Sequence, residues 1–310
     1  MSHGHTALVA VDWGTSALRA ARLDAQGQVL EERALPRGIL TIPSNGFASF
    51  FEANFEDWTR ARGTFCLISG MAGSKQGWVE SPYCPCPAGF DEVAAALTWI
   101  EPHRIAIVPG LCCEHPHAPD VMRGEEVQIF GAMQLTGLRD GLFVLPGTHS
   151  KWARVKNGRV TTFNTYMTGE FYALLSQHSI LAKTLPNSTD TPFDADAFAQ
   201  GVATARTGSG LLHTAFSART LSLFSRMDAA ALPSYLSGLV IGEELRLQLP
   251  DASTGEPAAD SDVVLVGSGA LTARYSQALA LQGVRSRSLG SEATWAGLHA
   301  LAGSVQQLSR

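Results

Sequence analysis

Two short apolar runs, each ending in a glycine-bearing turn, divide this chain. Ala7-Leu8-Val9-Ala10-Val11 leads into Asp12-Trp13-Gly14-Thr15-Ser16, and Leu142-Phe143-Val144-Leu145 leads into Pro146-Gly147-Thr148-His149-Ser150. Alternation over 7–12 and 17–23 predicts two strands across the first turn, and Asp24-Ala25-Gln26-Gly27 a hairpin into a third strand over 28–34. Phe47, Phe50, Phe51, Phe55 and Trp58 recur at helical spacing, so 46–61 reads as a helix whose aromatic stripe belongs to a core. The apolar run Phe65–Ser69 predicts a buried strand ending in Gly70-Met71-Ala72-Gly73-Ser74. A helix is expected from Asp91 to about residue 100, a strand from Arg104 to Val108, and a helix from Glu125 to Thr136.

The pattern then restarts. Strands are predicted over 142–146, 151–156 and 159–164, joined by the turn at Gly147 and an Asn157-Gly158 hairpin. Helices follow over 169–183, 194–206, 209–226 and 232–248. Val263–Val266 reads as a strand running into Gly267-Ser268-Gly269 and a helix to 282, with a last helix over 291–303. Pro250 to Asp262 reads as a loop. The order implies two α/β domains, 1–137 and 138–310, with the last helix available to pack back on the first. Each opens with a three-stranded antiparallel meander and finishes with parallel β-α units. Ligands of such sheets sit at the carboxyl ends of the strands, here expected in a cleft between the domains.

Composition narrows the classes. A chain of 310 residues has room for two cores, and 45% apolar with 16% charged residues is the balance of a soluble globular protein. A net charge of −5 speaks against nucleic acid or an anionic membrane as the main partner. No apolar run approaches the length of a spanning helix, and Met1–Thr6 lacks the basic region of a signal peptide, so the cytoplasm is expected. The cysteines, Cys66, Cys84, Cys86, Cys112 and Cys113, are expected as reduced, partly buried thiols. Zinc on Cys84, Cys86, Cys112, Cys113, His115 and His117 is the sharper alternative, but C-x-C and C-C are not the spacings of common structural sites.

The paired turns carry the chemistry. A Gly-Thr-Ser-type turn presents N–H groups and hydroxyls to an anion, and two of them can hold a nucleotide polyphosphate, which points to phosphoryl transfer. Asp12, at a strand end, suits a hydrated Mg²⁺; Gly14, Thr15 and Ser16 are candidate phosphate ligands, as are Gly147, Thr148, His149 and Ser150. Taken singly, each is an ordinary polar hairpin. Gly267-Ser268-Gly269, between an apolar strand and a helix, suits the adenosine of a nucleotide. Glu125 and Glu126 begin a helix, where a carboxylate can take a proton from a substrate hydroxyl or merely complement the helix dipole. Arg123 is a candidate for a bidentate contact to a substrate carboxylate. The loop bearing Met71, Gly73, Ser74 and Tyr83 is a candidate small-molecule surface, and Glu170 is either a helix cap or a substrate contact.

The two turns with the late Gly-Ser-Gly resemble the sugar kinase/Hsp70/actin superfamily. Leu145–Trp152, Met167-Thr168-Gly169-Glu170, His178-Ser179, Asp12–Ser16, Gly70–Ser74, Pro82-Tyr83 with Cys86-Pro87-Ala88, and Met122–Glu126 together resemble the 2-dehydro-3-deoxygalactonokinase family over nearly the whole chain. That resemblance implies an actin-like ATPase fold, with two ribonuclease-H-like domains facing a nucleotide cleft. It also implies ATP- and Mg²⁺-dependent phosphorylation of 2-dehydro-3-deoxy-D-galactonate at its terminal hydroxyl, in galactonate catabolism. The expected partners are the sugar acid and ATP, with a homodimer as the candidate assembly and no nucleic acid or membrane. Two readings stand beside it: a kinase for a related acid such as the gluconate epimer, and a nucleotide-dependent regulatory protein of the same fold. Many superfamily members carry Asp in the second turn, where this chain has Leu145-Pro146, which leaves Asp12 as the clearer Mg²⁺-directed acid.

Overall fold

Strand β1 (Leu8–Trp13) is the axis of the first sheet. It pairs antiparallel with β2 (Leu18–Leu23), which pairs with β3 (Val29–Leu35), as the alternation predicts. The computed structural model describes residues 8–61, 63–186, 191–207, 210–249 and 262–308. The expected N-terminal segment Met1–Thr6, and the expected loop from Pro250 up to Asp262, lie outside them.

After β3 come helix α1 (Phe47–Thr59), β4 (Phe65–Gly70), β5 (Cys84–Pro85), α2 (Phe90–Ala95), β6 (Thr98–Glu101), β7 (Ile105–Ile107), β8 (Leu111–Cys113), β9 (Asp120–Met122) and α3 (Glu125–Thr136). The six-stranded sheet runs β3-β2-β1-β4-β7-β6, with β1, β4 and β7 parallel, so their carboxyl ends share one edge. In register, Asp12 lies opposite Ser69 and Trp13 opposite Gly70. The small sheet β5-β8-β9 stands apart.

Next come β10 (Gly141–Leu145), β11 (Ser150–Lys156), β12 (Arg159–Tyr166), α4 (Thr168–His178), α5 (Ala195–Thr207), α6 (Leu211–Thr214), α7 (Ser217–Leu223), α8 (Leu232–Gln248), β13 (Val263–Val266), α9 (Gly269–Ala280), β14 (Ser286–Leu289) and α10 (Glu292–Leu308). Their sheet runs β12-β11-β10-β13-β14, with β10 and β13 parallel. The chain falls into two compact units. One comprises Met1–Asp140, Ala153–Asn164 and Leu289–Arg310; the other comprises Gly141–Trp152 and Thr165–Ser288. A cut at residue 137 would place 153–164 and 289–310 differently.

In the first unit the aromatic stripe is core: Phe47, Phe51, Phe55 and Trp58 are buried against Val9, Val11, Trp13 and Ile68, each large side chain contributing on the order of 2 kcal/mol of apolar burial. Helices α3 and α10 cross backbone to backbone. A Cβ on Gly131 would stand 1.7 Å from the Ala293 carbonyl oxygen, and one on Gly297 would stand 2.0 Å from that of Val127. The second core packs α5 and α8 against β10 and β13, through Phe198, Val202, Ile241, Leu245 and Leu265.

Three expected helices are shorter than predicted or divided. The one opening at Asp91 stops at Ala95, and Thr98–Glu101 instead pairs antiparallel with β7, because Thr98, Trp99 and Ile100 favour a pleated edge. The stretch 209–226 holds two short helices, α6 and α7, rather than one. Helix α4 ends at His178: Ser179 turns extended, its Oγ accepts the Leu181 N–H, and a 3₁₀ turn covers Ile180–Lys183. No helix among the described residues is long and apolar enough to cross a membrane.

Candidate active site

In the first unit, three sequence motifs meet at the shared carboxyl edge of β1, β4 and β7. Gly70 ends β4 with φ +90°, and a Cβ there would lie 2.8 Å from the Trp13 carbonyl oxygen. Gly124, with φ +104°, would place a Cβ 3.3 Å from Gly70 Cα. The first turn, the Gly70 loop and the start of α3 are therefore in contact because two glycines stand where side chains would not fit. The turn is closed by Gly14 N–H donating to the Ala17 carbonyl at 2.9 Å, and the Gly14 and Thr15 carbonyls accept from Ile39 and Leu40. With the Gly14 N–H spent, the donors on offer are those of the exposed Thr15 and Ser16. Asp12 is ion-paired with Arg19, its cross-strand neighbour, at 2.6 Å.

Arg123 lies within this group. Its Nη2 donates to the Ser81 carbonyl at 2.7 Å, and its guanidinium carbon sits 4.4 Å from the Tyr83 ring centroid. A Cβ on Gly73 would fall 2.7 Å from Arg123 Nη1, so only glycine leaves the guanidinium its place. Arg123 Nε and Nη1 and the Ser74 hydroxyl are buried and find no hydrogen-bond partner among the described residues. Buried donors left unmade are costly, so each needs a partner or a reason. Of the residues expected to touch substrate, Gly73 and Tyr83 thus pack on the Arg123 cation, and Ser74 follows Gly73 in the chain. Met71 does not join them as a contact, since its side chain packs against the core.

The two glutamates part company. Glu126 is fully buried; its Oε2 accepts the Gly124 N–H at 2.7 Å, and its Oε1 has no partner among the described residues. Burial first, and the Glu125 carboxylate second, push its carboxyl up to about 8. Glu125 is half-buried and accepts the Arg123 backbone N–H at 3.0 Å. A raised carboxyl has a stability consequence. The folded state keeps a proton that the unfolded chain releases above the ordinary value of 4.5, so stability falls as pH rises from there to about 8. Glu126→Gln cannot ionise. Its melting temperature relative to the parent protein should climb between pH 5 and pH 8.5; an offset that is constant across that range would mean Glu126 titrates normally.

In the second unit, parallel β10 and β13 bring the second turn beside Gly267-Ser268-Gly269; Gly267 would place a Cβ 3.5 Å from the Pro146 carbonyl oxygen. Thr148, His149, Ser268 and Gly269 are exposed, and a Cβ on Gly269 would meet nothing within 4 Å. A Cβ on Gly169 would lie 2.5 Å from the Gly147 carbonyl oxygen, and Glu170 N–H donates to the Thr148 carbonyl at 3.1 Å. The Glu170 carboxylate meets His149 Nε2 at 2.5 Å, which ties Glu170 to the second turn rather than to the Arg123 group. Lys151 is buried, with Nζ 3.4 Å from the His149 carbonyl oxygen. Ser150 corrects an expectation: it is fully buried and its hydroxyl donates to Glu244 at 2.7 Å, so it is not on offer to a phosphate. Glu244 carried no sequence signal beyond being a carboxylate within an apolar helical run.

No group of three His, Cys, Asp or Glu able to hold a metal ion occurs among the described residues. Cys84, Cys86, Cys112 and Cys113 are free thiols on or beside β5 and β8. A single carboxylate at a strand end fits Mg²⁺, which keeps several waters and takes other ligands from phosphate; Asp12, here paired with Arg19, is such a group.

A family model described as 2-keto-3-deoxy-galactonokinase matches residues 12–301. The chain is 37% identical over 303 residues to the probable 2-dehydro-3-deoxygalactonokinase of Rhizobium meliloti (strain 1021), covering 96% of this chain and 97% of that one. It is 33% identical over 299 residues to the 2-dehydro-3-deoxygalactonokinase of Escherichia coli (strain K12), covering 96% and 98%. A crystal structure from Sinorhizobium meliloti, of a protein assigned as a 2-dehydro-3-deoxygalactonokinase, matches with TM-score 0.87 at 38% identity, covering 96% and 99%. Component A of (R)-2-hydroxyglutaryl-CoA dehydratase from Acidaminococcus fermentans shares the fold, with TM-score 0.50 at 13% identity, covering 98% and 99%. The fold is that of the actin-like ATPases, and the chain belongs to the 2-keto-3-deoxy-galactonokinase family.

Proposed function

We propose that this protein is a cytoplasmic sugar-acid kinase that uses ATP to phosphorylate 2-dehydro-3-deoxy-D-galactonate at its terminal hydroxyl, giving the 6-phosphate, in galactonate breakdown. Beyond family membership, one observation supports the substrate class: a half-buried guanidinium, Arg123, with Nε and Nη1 unspent, beside a carboxylate, Glu125, at the sheet edge where ligands of such folds bind. Arg123 pairs with the carboxylate of the acid, and Tyr83, 41% exposed over the guanidinium, swings aside to admit it. Glu125 orients the attacking hydroxyl and accepts its proton. Glu126, shut from solvent and folded onto Gly124, holds the turn that aims Glu125. Thr15, Ser16, Gly147 and Thr148 serve the nucleotide phosphates, and Gly267, Ser268 and Gly269 its adenosine. Asp12 would hold Mg²⁺ through water, and the ion would neutralise charge on the transferring phosphate. A homodimer is the assembly to test, by sedimentation.

The test is coupled ADP release from MgATP with the galactonate compound, with its gluconate epimer, and with no sugar. Turnover with the galactonate compound is expected, and Asp12→Asn should lower it about 10²-fold, since it weakens the hold on the ion that would neutralise transition-state charge. Turnover with the epimer alone would move the substrate. ADP release indifferent to sugar would replace the kinase with a nucleotide switch.

A further inference from the structure

Helix α8 packs as a core element on nearly every side, yet it carries a carboxylate in its midst. Glu244 is 1% exposed. Its Oε1 accepts the Ser150 hydroxyl at 2.7 Å and the Trp152 indole N–H; its Oε2 accepts the Tyr275 hydroxyl at 2.8 Å and the Thr168 hydroxyl. Four donors from three segments converge on one side chain. A buried charge is tolerated only when its lone pairs are met in this way.

Two of those segments carry the candidate nucleotide motifs of the second unit, and the third, the start of α4, packs on the Gly147 turn. Ser150 closes the Gly147 turn. Thr168 opens α4, whose Gly169 lies against the Gly147 carbonyl and whose Glu170 N–H binds the Thr148 carbonyl. Tyr275 stands on α9, the helix that begins at Gly269. The turn is thus gripped from behind on both flanks, and the helix following Gly267-Ser268 is fixed to the same point. Thr148 and His149 of the same turn are exposed.

We infer that Glu244 is a positioning residue for ATP: it touches no reactant, and it sets the second turn and the start of α9 in the geometry that receives the nucleotide. The inference rests on the kinase reading above. Helical packing alone would be served by leucine at this position. What leucine cannot supply is acceptors for Ser150, Trp152, Thr168 and Tyr275 together.

The side-chain chemistry orders the variants. In Glu244→Gln the amide oxygen must face Trp152, whose N–H only donates. The amide nitrogen then faces Thr168 and Tyr275, whose hydroxyls can turn to accept. Glu244→Ala leaves all four donors without an acceptor.

The experiment is calorimetric titration of the full-length protein with MgATP, together with steady-state KM values for ATP and for the sugar acid. Glu244→Ala should weaken ATP binding by about 30-fold or more and Glu244→Gln by about 3- to 10-fold, the sizes of several lost or weakened buried hydrogen bonds. KM for the sugar acid should stay within about twofold of the parent value. Equal losses for both substrates would show a general packing role and overturn the inference, as would folded Glu244→Ala with parental ATP affinity. If Glu244→Ala shows no cooperative melt, Tyr275→Phe decides, since it keeps the ring and removes one donor: about threefold weaker ATP binding supports the inference, and unchanged binding overturns it. A parent protein that binds no ATP overturns both this inference and the kinase reading.

Discussion

Glu125→Gln is expected to lower kcat by about 10²–10⁴-fold, the range for losing a positioned general base, while KM for the sugar acid moves little. Glutamine keeps an oxygen for the Arg123 backbone N–H, so the start of α3 should survive the change. What it loses is the ability to take a proton. Glu126→Gln is the control. It changes a group that is fully buried and already pushed toward its neutral form, so its kcat should stay within about tenfold of the parent at neutral pH. A Glu125→Gln enzyme turning over at the parental rate would remove Glu125 from the chemistry. If instead Glu126→Gln showed the larger loss, the roles would be reversed, with the buried carboxyl acting when the loop opens. The kcat values of the two variants, measured side by side, separate these outcomes.

Arg123→Ala should raise KM for the sugar acid by about 10²–10³-fold, from losing charge-assisted hydrogen bonds to a carboxylate. Arg123→Lys should recover little of this, because an ammonium cannot reproduce the planar fork or its stacking on Tyr83. KM for ATP should be nearly unchanged. The substitution also leaves the Ser81 carbonyl without its guanidinium donor, so a thermal melt must accompany the kinetics; a drop of a few degrees is expected from one lost hydrogen bond of about 1–3 kcal/mol. A sugar-acid KM within about threefold of the parent, in a protein that melts normally, would mean that the unspent nitrogens serve the fold and not the substrate.

Together the two variants test different claims. One removes chemistry and should appear in kcat; the other removes binding and should appear in KM. An enzyme in which both changes lowered kcat and left KM alone would place Arg123 at the transferring phosphate instead of at the acid.

Some of this was legible in the residues. The Phe47–Trp58 stripe declared a helix and its buried face, because a 3.6-residue period leaves no other surface for five aromatics. The two turns and the Gly-Ser-Gly segment declared themselves because glycine after an apolar strand has few other uses. Shorter elements escaped. Strands β5, β8 and β9 hold two or three residues each, too few for any period to register. Residues 98–100 read as the tail of a helix because local pattern cannot see β7, the partner that makes Thr98–Glu101 a strand.

The site divides the same way. Arg123, Glu125, Glu126, Gly73 and Tyr83 could be named from local motifs, since each stands in a loop or at a helix start where functional groups gather. Their ranking could not. That Glu126 is fully buried and Glu125 only half-buried depends on how α3 meets α10 and the Gly70 loop. The unspent guanidinium nitrogens of Arg123 exist only because Ser81, Gly73 and Tyr83 arrive from distant positions. The Ser150 hydroxyl reads in sequence as a phosphate ligand; it is claimed by Glu244, 94 residues away. Sequence determined the elements with a clear period, the turns that need glycine and the inventory of chemical groups, because those follow from neighbours along the chain. Tertiary structure alone decided which groups are buried, which are already paired and which are not, because desolvation and hydrogen-bond competition are set by neighbours in space.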